Sequence, residues 1–441
     1  MSPTAVEILA TVLFALAVLH TFLVKQFAHW AHKYPEGSMQ ENLLHFLAET
    51  EVVFGVWAAA LFGGIIFLNL HPGSLSEILG SVGHAVEEGV KYIEAQNYTE
   101  PKFVFVIMVV AATRPVVTLA EWLIEGVARV LPLPPATAFY AAALAVGPLL
   151  GSFITEPAAM TLLAVVLKRR YFNAGISRRL AYVTLGLLFV NVSIGGVLTH
   201  FAAPPVLMVA SKWKWGVGYM FQHFGWRAIL SCLVSTAAVV IVFRKELRTI
   251  TVEKARGVAI PAWLTALHLM SMASVVLFAH HPDVFFGIFM VFLGLVTVTR
   301  EYQEPLKLKE GLLVGFFLSG LVTLGSLQEY WLKPLIQALG GDALFFGTTG
   351  LTAITDNAAL TYLGSLVDGL SDPLKYALVA GAVTGGGLTV IANAPNPAGA
   401  GILQDSKVFG GEGISPLHLF IGALWPTAVA IVAFWFLPGP R

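Results

Sequence analysis

Two stretches two hundred positions apart decide the fold: Ile154–Leu163 is ITEPAAMTLL, and Ile354–Leu363 is ITDNAALTYL. Six of their ten positions are identical, and each copy carries one acid at its third position, Glu156 or Asp356. No basic residue stands beside either acid, and both stretches lie within long apolar surroundings. A carboxylate is costly in such surroundings, so its duplication indicates a function.

The composition predicts a membrane protein. Of the 441 residues, 57% are hydrophobic and 12% are charged, whereas a soluble protein carries roughly a quarter charged residues. Apolar stretches of about 20 residues recur along the chain, as in polytopic helical membrane proteins. The net charge is zero and no basic run stands out, which argues against nucleic acid as a partner. Cys232 is the only cysteine, which excludes an internal disulfide and a thiolate metal cluster.

The apolar segments fall into two halves with the same order of elements. We expect a first repeat over 1–243, a cytoplasmic linker over 244–258 and a second repeat over 259–441. Each repeat is predicted to hold about five transmembrane helices, one re-entrant hairpin and one broken helix. Because an odd number of spans turns the second repeat over, the predicted fold is an all-α polytopic membrane protein with two inverted-topology repeats, as in secondary transporters.

The hairpins and broken helices are predicted where polar residues interrupt apolar ones. Ala136–Leu150 and Pro157–Tyr171 are each too short to span a bilayer, and they flank the polar sequence SFITEP. Gly-rich and Pro-containing sequences interrupt the apolar segment that follows each tip. The resulting ranges are about 136–171 and 343–367 for the hairpins and about 178–210 and 375–403 for the broken helices.

Three further segments carry predictions. Thr4–Val24 is expected to be a retained membrane span, and Ser74–Gln96 an amphipathic helix on a membrane surface. Phe103–Leu123 is predicted to be one span with Arg114 at its middle. Lysine and arginine concentrate on the side of the 244–258 linker, so that side is predicted to be cytoplasmic and both termini to lie outside.

The two acids are candidates for exchanging a proton against a cation. Each stands at the N-terminus of a predicted half-helix, which favours a carboxylate by at most about 2 kcal/mol. Burial disfavours the charged form more strongly, so an acid in a dry tip holds a proton until a cation displaces it. Capping of a helix end is the alternative, but serine or threonine would cap without carrying a charge into the membrane.

The surrounding residues predict an oxygen-rich cation site. Unwound backbone near Gly195 and Gly385 can turn carbonyls toward an ion, and hydroxyl and amide oxygens suit Na+ better than soft metals. Close helix packing would explain any one Gly or Thr, but not their repetition beside a repeated acid. The predicted ion- and proton-binding residues are Asp356, Asn357, Thr355, Asn393, Asn396, Thr389, Glu156, Thr155 and Thr199.

The two halves are predicted to differ in function. The second half holds the richer set of oxygen ligands, so Asp356, Asn357 and Asn393 are expected to bind Na+. The matching positions around Glu156 carry fewer such ligands. Three roles stay open for Glu156: a proton site, a second and weaker ion site, or a structural remnant.

Two basic residues near the first tip bear on this question. His200 stands in the first break, where it is either a pH-sensing group or a packed, hydrogen-bonded histidine. Arg114 needs a partner inside the membrane, and Glu156 or a carbonyl of the hairpin is a candidate. An ion pair between Arg114 and Glu156 would remove the first tip from transport.

The motifs of common enzymes are missing from the sequence. There is no P-loop, no Ser/His/Asp set and no HExxH spacing among the histidines. We therefore expect neither an enzyme nor a cofactor, and no transport driven by ATP within this chain.

The chain resembles the ion transporter superfamily. The residues that carry the resemblance are LAETEVVFGVWAA (Leu47–Ala59), SFITEPAAMTLLA (Ser152–Ala164), AITDNAALTYLGSLV (Ala353–Val367) and GGGLTVIANAPNPAG (Gly385–Gly399). It is most similar to the bacterial Na+/H+ antiporters of the E type, and the last two segments are also similar to D-type Na+/H+ antiporters and arsenite permeases. The resemblance implies inverted repeats, dimers and elevator-type movement. The dicarboxylate symporters of the superfamily have Ser-Asn-Thr at each tip, whereas acids here would repel an anionic substrate.

The leading hypothesis is a Na+/H+ antiporter of the bacterial inner membrane, with Asp356 as its main exchange carboxylate. The alternative is a Na+- or H+-coupled carrier of an organic or oxyanion solute, in which the acids couple rather than exchange. A channel or a membrane scaffold gains little support from duplicated acidic tips. The expected partners are Na+, H+, the lipid bilayer and a second copy of the chain in a homodimer.

Overall fold

The computed structural model describes residues 3–49, 52–70, 74–250, 259–410 and 413–439, and every regular element within these ranges is helical. In chain order the α-helices are α1 (Ala5–Ala31), α2 (Met39–Ala48), α3 (Val53–Leu68), α4 (Leu75–Glu94), α5 (Thr99–Ala111), α6 (Arg114–Val130), α7 (Pro135–Ala145), α8 (Gly147–Ile154), α9 (Glu156–Arg170), α10 (Arg178–Gly195), α11 (Pro204–Trp213), α12 (Val217–Met220), α13 (Trp226–Val242), α14 (Arg244–Thr249), α15 (Ala262–Leu277), α16 (Pro282–Val298), α17 (Leu308–Gly325), α18 (Glu329–Gln337), α19 (Gly341–Thr352), α20 (Asn357–Ser365), α21 (Asp372–Gly385), α22 (Asn396–Gln404) and α23 (Pro416–Ile431). Short 3-10 helices cover Phe172–Ala174, Gly196–Leu198, Arg300–Tyr302 and Val390–Ala392, and π-helical turns cover Phe221–Gly225 and Val432–Phe436.

Many of these helices suit a bilayer, whose apolar core needs about 20 residues to cross. Within the described ranges, six helical runs are long and apolar enough, or eight if each of two bent pairs forms one span. The six runs are Ala5–Val24, Pro135–Ile154, Arg178–Leu198, Val217–Val242, Leu308–Gly325 and Pro416–Phe436. The bent pairs are α2 with α3 and α5 with α6, and α15 and α16 are shorter apolar helices.

Some predicted segments differ from the observed helices. The run Pro135–Ile154 contains α7 and α8 and spans 20 residues, so this part of the first hairpin is longer than the sequence predicted. Phe103–Leu123 is not one straight span, because α5 and α6 meet at 68°. Pro115 lies in the first turn of α6, and a proline ring clashes with the carbonyl four residues before it, which belongs to the last residue of α5. The helix predicted over Ser74–Gln96 is observed as α4, and its position on a membrane surface stays a prediction.

The chain divides into two compact units. The first contains Met1–Phe105, Leu308–Ala338 and Tyr362–Gly369, and within it α3 packs closely on α17. A Cβ on Gly320 would collide with the backbone at Phe54 and Gly55, so glycine permits this close approach.

The second unit holds every residue that the sequence predicted for the ion site. It contains Val106–Lys307, Leu339–Thr361 and Leu370–Arg441. Its core is formed largely by buried apolar side chains of α7, α9 and α10, with further residues from α6 and α22. The first tip, at the start of α9, therefore rests on this packed core.

The first tip is a tight reversal between α8 and α9. Gly147 lies against Leu163, and Gly151 lies against Ala159, so the two helices run in opposite directions. Thr155 forms the tip with a φ of 71° and a ψ of 150°, a conformation that costs a residue other than glycine roughly 1–3 kcal/mol. Whether this hairpin is re-entrant in a bilayer stays a prediction.

A second contact recurs in both halves of the sequence. Thr199 and Thr389 occupy matching positions after the glycines of their breaks, and each hydroxyl donates to a backbone carbonyl shortly before a tip. Thr199 Oγ1 bonds the Ser152 carbonyl at 2.6 Å, and Thr389 Oγ1 bonds the Ala353 carbonyl at 2.8 Å. Each break is thereby fastened to the helix that leads into its own tip.

The helices before the two breaks, α10 and α21, cross in opposite directions. Ser193 Oγ donates to the Val383 carbonyl at 2.8 Å, and a Cβ on Gly387 would collide with the backbone of Val190. When Gly195 is aligned with Gly385, Ser193 and Val383 are matching positions. Inverted repeats produce local crossings of this kind, and the inversion of the two complete halves stays a prediction.

Candidate ion-binding site

Glu156 begins α9 at the first tip, and its side chain is fully buried. Its Oε2 accepts a hydrogen bond of 2.9 Å from Asn393 Nδ2, and its backbone N–H donates to the Ala202 carbonyl at 3.4 Å. Its other carboxyl oxygen, Oε1, has no hydrogen-bond partner among the described residues. A buried carboxyl in this state needs either a proton or a nearby cation.

The first break closes over this carboxyl at Gly196. The helix α10 ends at Gly195, and a Cβ on Gly196 would collide with Glu156 Oε1. Ser152 holds the break in place, because its Oγ donates to the Gly195 carbonyl at 2.7 Å and accepts the Leu198 N–H at 2.8 Å. The missing side chain at Gly196, within GGVLT, therefore leaves the space that the Glu156 carboxyl occupies.

The second break supplies amide groups to the same place. The Asn393 side chain donates to Glu156, and the Asn393 backbone carbonyl accepts the backbone N–H of Asn396 at 3.0 Å. Asn396 Nδ2 donates to the carbonyls of Gly386 and Thr389 at 2.8 and 2.9 Å, which fixes the unwound backbone. The amide oxygens of both asparagines are buried and have no partner in the described part of the chain.

Asp356 has a different environment. Its Oδ1 accepts the backbone N–H groups of Ala358 and Ala359 at 2.8 and 3.2 Å, as an N-terminal cap of α20 does. Its side chain is 9% exposed, whereas that of Glu156 is fully covered. The capping role that the sequence allowed for both acids is therefore observed at Asp356.

Asn357 follows Asp356 and faces the second break. It is fully buried, and neither its Oδ1 nor its Nδ2 has a partner among the described residues. A Cβ on Gly386 would lie 2.8 Å from Asn357 Nδ2 and would also collide with Ser193 Oγ. Gly386 therefore lies against Asn357 and Ser193, and its carbonyl accepts the hydrogen bond from Asn396.

Five residues of the predicted site are grouped under the name oxygen cluster. They share a buried side-chain oxygen that lacks a hydrogen-bond partner in the described ranges. They are Glu156 Oε1, Thr155 Oγ1, Asn357 Oδ1, Asn393 Oδ1 and Asn396 Oδ1. Carboxylate, hydroxyl and amide oxygens are hard ligands, which suit Na+ and disfavour soft transition metals.

The remaining predicted threonines have other surroundings. Thr199 and Thr389 donate to backbone carbonyls, which gives them a role in fastening the breaks. Thr355 is partly exposed beside Asp356. Asn393, which the sequence assigned to Asp356, instead bonds the acid of the other tip.

An ion pair between Arg114 and Glu156, one of the two pairings considered for Arg114, is not observed in the described residues. Arg114 starts α6, is half-buried and forms no ion pair within the described ranges, and its side chain lines a cavity of about 510 Å³ beside Glu121. Glu121 itself pairs with Arg169 at 2.8 Å. His200 is half-buried, packs edge-on against Phe201, and leaves its Nδ1 without a partner in the described structure.

The sequence reasoning missed the contribution of two serines. Ser152 organises the first break, and Ser193 joins α10 to α21 beside Asn357. One signal was present: Ser152 lies four residues before Glu156, and Ser193 lies two before Gly195, so both belong to the segments with matching order. Their partners are backbone carbonyls, which a sequence pattern does not reveal.

Residues 5–437, nearly the whole chain, match a protein family described as putative Na+/H+ antiporter. No curated protein matches the chain. The family match covers both tips, both breaks and the oxygen cluster.

Proposed function

The chain belongs to the putative Na+/H+ antiporter family, and we propose that it exchanges Na+ for H+ at the oxygen cluster around Glu156. Family membership and the apolar helices support a multi-pass membrane transporter rather than an enzyme. The observation that carries the assignment is the fully buried Glu156 carboxyl: Asn393 bonds one of its oxygens, and the other oxygen has no hydrogen-bond partner among the described residues.

Exchange follows from competition for one carboxyl. When Glu156 carries a proton, the cluster is neutral and can stay dry. When the proton leaves, the carboxylate is stabilised by Na+, which takes Oε1 together with amide oxygens such as those of Asn393 and Asn396. The proton and Na+ exclude each other from this carboxyl. The site therefore crosses the membrane carrying Na+ in one direction and a proton in the other, and the two ions are exchanged.

Asp356 is proposed to have a supporting role. Its negative charge would add to the potential that attracts a cation to the second unit, which holds both acids. Its Oδ1 is engaged by two backbone N–H groups of α20, which already stabilise its charged form. This revises the hypothesis that Asp356 is the main exchange carboxylate.

The surroundings of the transporter are part of the proposal. We place it in the bacterial inner membrane with both termini outside the cytoplasm, since lysine and arginine concentrate on the side of the 244–258 linker. A homodimer and elevator-type movement are proposed from the resemblance to the ion transporter superfamily.

The test is Na+-driven proton movement in proteoliposomes that contain the purified protein and a trapped pH dye. The wild-type protein is expected to dissipate an imposed pH gradient when Na+ is added, and Glu156→Gln is expected not to. Glu87→Gln is the matched control, because the Glu87 side chain is 61% exposed on α4 and its loss leaves the cluster intact. Full exchange by Glu156→Gln would refute the site. Proton movement that requires an added organic solute or oxyanion would instead favour the coupled carrier.

A further inference from the structure

A fully buried amide side chain lies one helical turn before the first break. Asn191 belongs to α10, four residues before Gly195, and its side chain is fully covered. A polar side chain inside a membrane protein is costly unless its hydrogen bonds are made. Asn191 is not a member of the oxygen cluster, so its burial calls for another explanation.

The amide of Asn191 has partners on two neighbouring helices. Its Nδ2 donates to the Leu144 carbonyl, near the end of α7, at 2.8 Å and to Thr236 Oγ1 at 3.2 Å. Its Oδ1 accepts a hydrogen bond of 3.0 Å from Ser235 Oγ. Ser235 and Thr236 belong to α13 and are buried as well. The two hydroxyls of α13 therefore orient the amide toward Leu144.

The carbonyl of Leu144 needs this donor because of a proline. Pro148 lies four residues after Leu144, in the first turn of α8, and Val146 separates α7 from α8. A proline has no N–H, and its ring clashes with the carbonyl four residues before it, so the Leu144 carbonyl loses its usual helical donor. A carbonyl without a donor is costly within a membrane. The Asn191 amide replaces the N–H that Pro148 lacks.

This bond is the first of three contacts that align α10 with the chain that leads to the first tip. A Cβ on Gly195 would collide with the backbone of Pro148, so the two helices touch there. Beyond it, Thr199 Oγ1 donates to the Ser152 carbonyl at 2.6 Å. On both sides the contacts follow at intervals of four residues: Asn191 to Leu144, Gly195 to Pro148 and Thr199 to Ser152. The row of contacts ends just before Glu156.

The second half has neither the proline nor the amide. The position that matches Asn191 there is Gly381. A Cβ on Gly381 would collide with the Phe345 carbonyl, so its helix lies directly against α19. The helix α19 is uninterrupted and contains no proline. Asparagine therefore stands in the half where a proline interrupts the helix, and glycine stands where the helix is complete.

We propose that Asn191 is a positioning residue for the exchange site, an inference that rests on the proposed function of Glu156. By bonding the carbonyl that Pro148 leaves without a helical donor, Asn191 fixes α8 against α10. This contact sets where Glu156, just after α8, meets Gly196 in the break. Loss of the amide lets α8 shift along α10, so the site binds Na+ more weakly although every group of the oxygen cluster is present.

The experiment compares Asn191→Leu, which has a similar shape but no hydrogen-bond donor, with the same variant combined with Pro148→Ala. Pro148→Ala restores an N–H four residues after Leu144, so the helix can close its own bond. Hydrogen–deuterium exchange of the full chain in detergent is expected to rise about tenfold over 149–157 and 195–203 in Asn191→Leu and to return toward the wild-type rate in the double variant. Na+ titration should give about tenfold lower affinity for Asn191→Leu, and wild-type affinity within about threefold for the double variant.

A milder variant keeps the test decisive if Asn191→Leu does not fold. Ser235→Ala leaves the amide in place but removes the hydroxyl that orients it. It is expected to raise deuterium exchange over the same two segments and to lower Na+ affinity about threefold. Adding Pro148→Ala to Ser235→Ala is expected to remove both effects, because the Leu144 carbonyl then no longer depends on Asn191.

Tyr171→Phe is the matched control. It removes another buried hydrogen bond to a carbonyl of the same helical run, from Tyr171 Oη to Ala136 at 2.6 Å, at the far end of α7 from the tip. It is expected to lower the melting temperature and to keep wild-type Na+ affinity. Wild-type deuterium exchange over 149–157 in the Asn191 and Ser235 variants, or no recovery with Pro148→Ala, would overturn the proposal. Absence of Na+ binding by the wild type would instead refute the proposed function, and deuterium exchange would still decide whether Asn191 positions the tip.

Discussion

The tips at Glu156 and Asp356 have closely related sequences, but their acids have different neighbours. Glu156 is fully buried, is bound by the amide of Asn393, lies against Gly196, and has an oxygen without a partner in the described structure. Asp356 is 9% exposed and caps α20 through two backbone N–H groups. Glu156 thus keeps one carboxyl oxygen open among the described residues, whereas Asp356 Oδ1 is bound by the first turn of its own helix.

This difference teaches that the candidate site is assembled from both halves of the sequence. The first half gives the carboxyl of Glu156, and the second gives the amides of Asn357, Asn393 and Asn396. Of these amides, that of Asn393 bonds the acid of the first half directly. A site divided in this way also links ion binding to the relative positions of the two breaks.

The largest effect is expected from neutralising each acid in turn. Glu156→Gln keeps the size of the side chain but removes its charge, and should lower Na+-driven proton movement by about 100-fold or more, as loss of a buried charged partner does. Asp356→Asn keeps a capping side chain and should lower it by no more than about tenfold. Initial rates in proteoliposomes at one protein density measure both. Equal losses would break the distinction between the tips.

The next effect concerns the close approach of the first break. Gly196→Ala places a methyl group against Glu156 Oε1, so Na+ affinity should fall at least tenfold and unfolding free energy by about 1–3 kcal/mol. Gly126→Ala is the matched control, since nothing lies within 4 Å of a Cβ at that position of α6. Thermal unfolding and Na+ titration of the purified variants check both values. An Ala at 196 with wild-type affinity would mean that the break does not cover the carboxyl.

A smaller effect is expected from the amide that links the halves. Asn393→Ala removes the hydrogen bond of 2.9 Å to Glu156 and should raise the Na+ concentration for half-maximal exchange by about tenfold. Asn396→Ala removes two bonds to backbone carbonyls, so it should lower the melting temperature more than Asn393→Ala does. Dye assays across Na+ concentrations, with melting curves of the same samples, distinguish the ion-binding role of Asn393 from the structural role of Asn396. A lower melting temperature for Asn393→Ala than for Asn396→Ala would contradict this assignment of roles.

The smallest effect tests capping by Asp356. Asp356→Ala should destabilise the protein by about 1 kcal/mol, because α20 loses a cap, and Asp356→Ser should recover most of that loss. Chemical unfolding of the two variants in one detergent gives the comparison. If serine failed to recover stability, the side chain of Asp356 would have a role beyond its cap.

Much of this arrangement could be predicted from the sequence, because it depends on short-range patterns. Duplicated tips, Gly-rich breaks and apolar spans all leave residues in a recognisable order, as at Gly195 and Gly385. The bend before Pro115 could also be predicted, since a proline ring clashes with the carbonyl four residues before it and favours a kink. The partner of Asn393 was not, because its hydrogen bond joins residues 237 positions apart and depends on how two breaks pack.

The central claim is that Na+ and a proton compete for Glu156, and calorimetric Na+ titration of the purified protein across pH tests it most directly. The wild-type protein and Asp356→Asn should bind Na+ more weakly as the pH falls, approaching tenfold per pH unit where the proton occupies the carboxyl. Glu156→Gln should show no pH-dependent Na+ binding. Wild-type pH dependence in Glu156→Gln, together with its loss in Asp356→Asn, would contradict the account and return the exchange to the second tip.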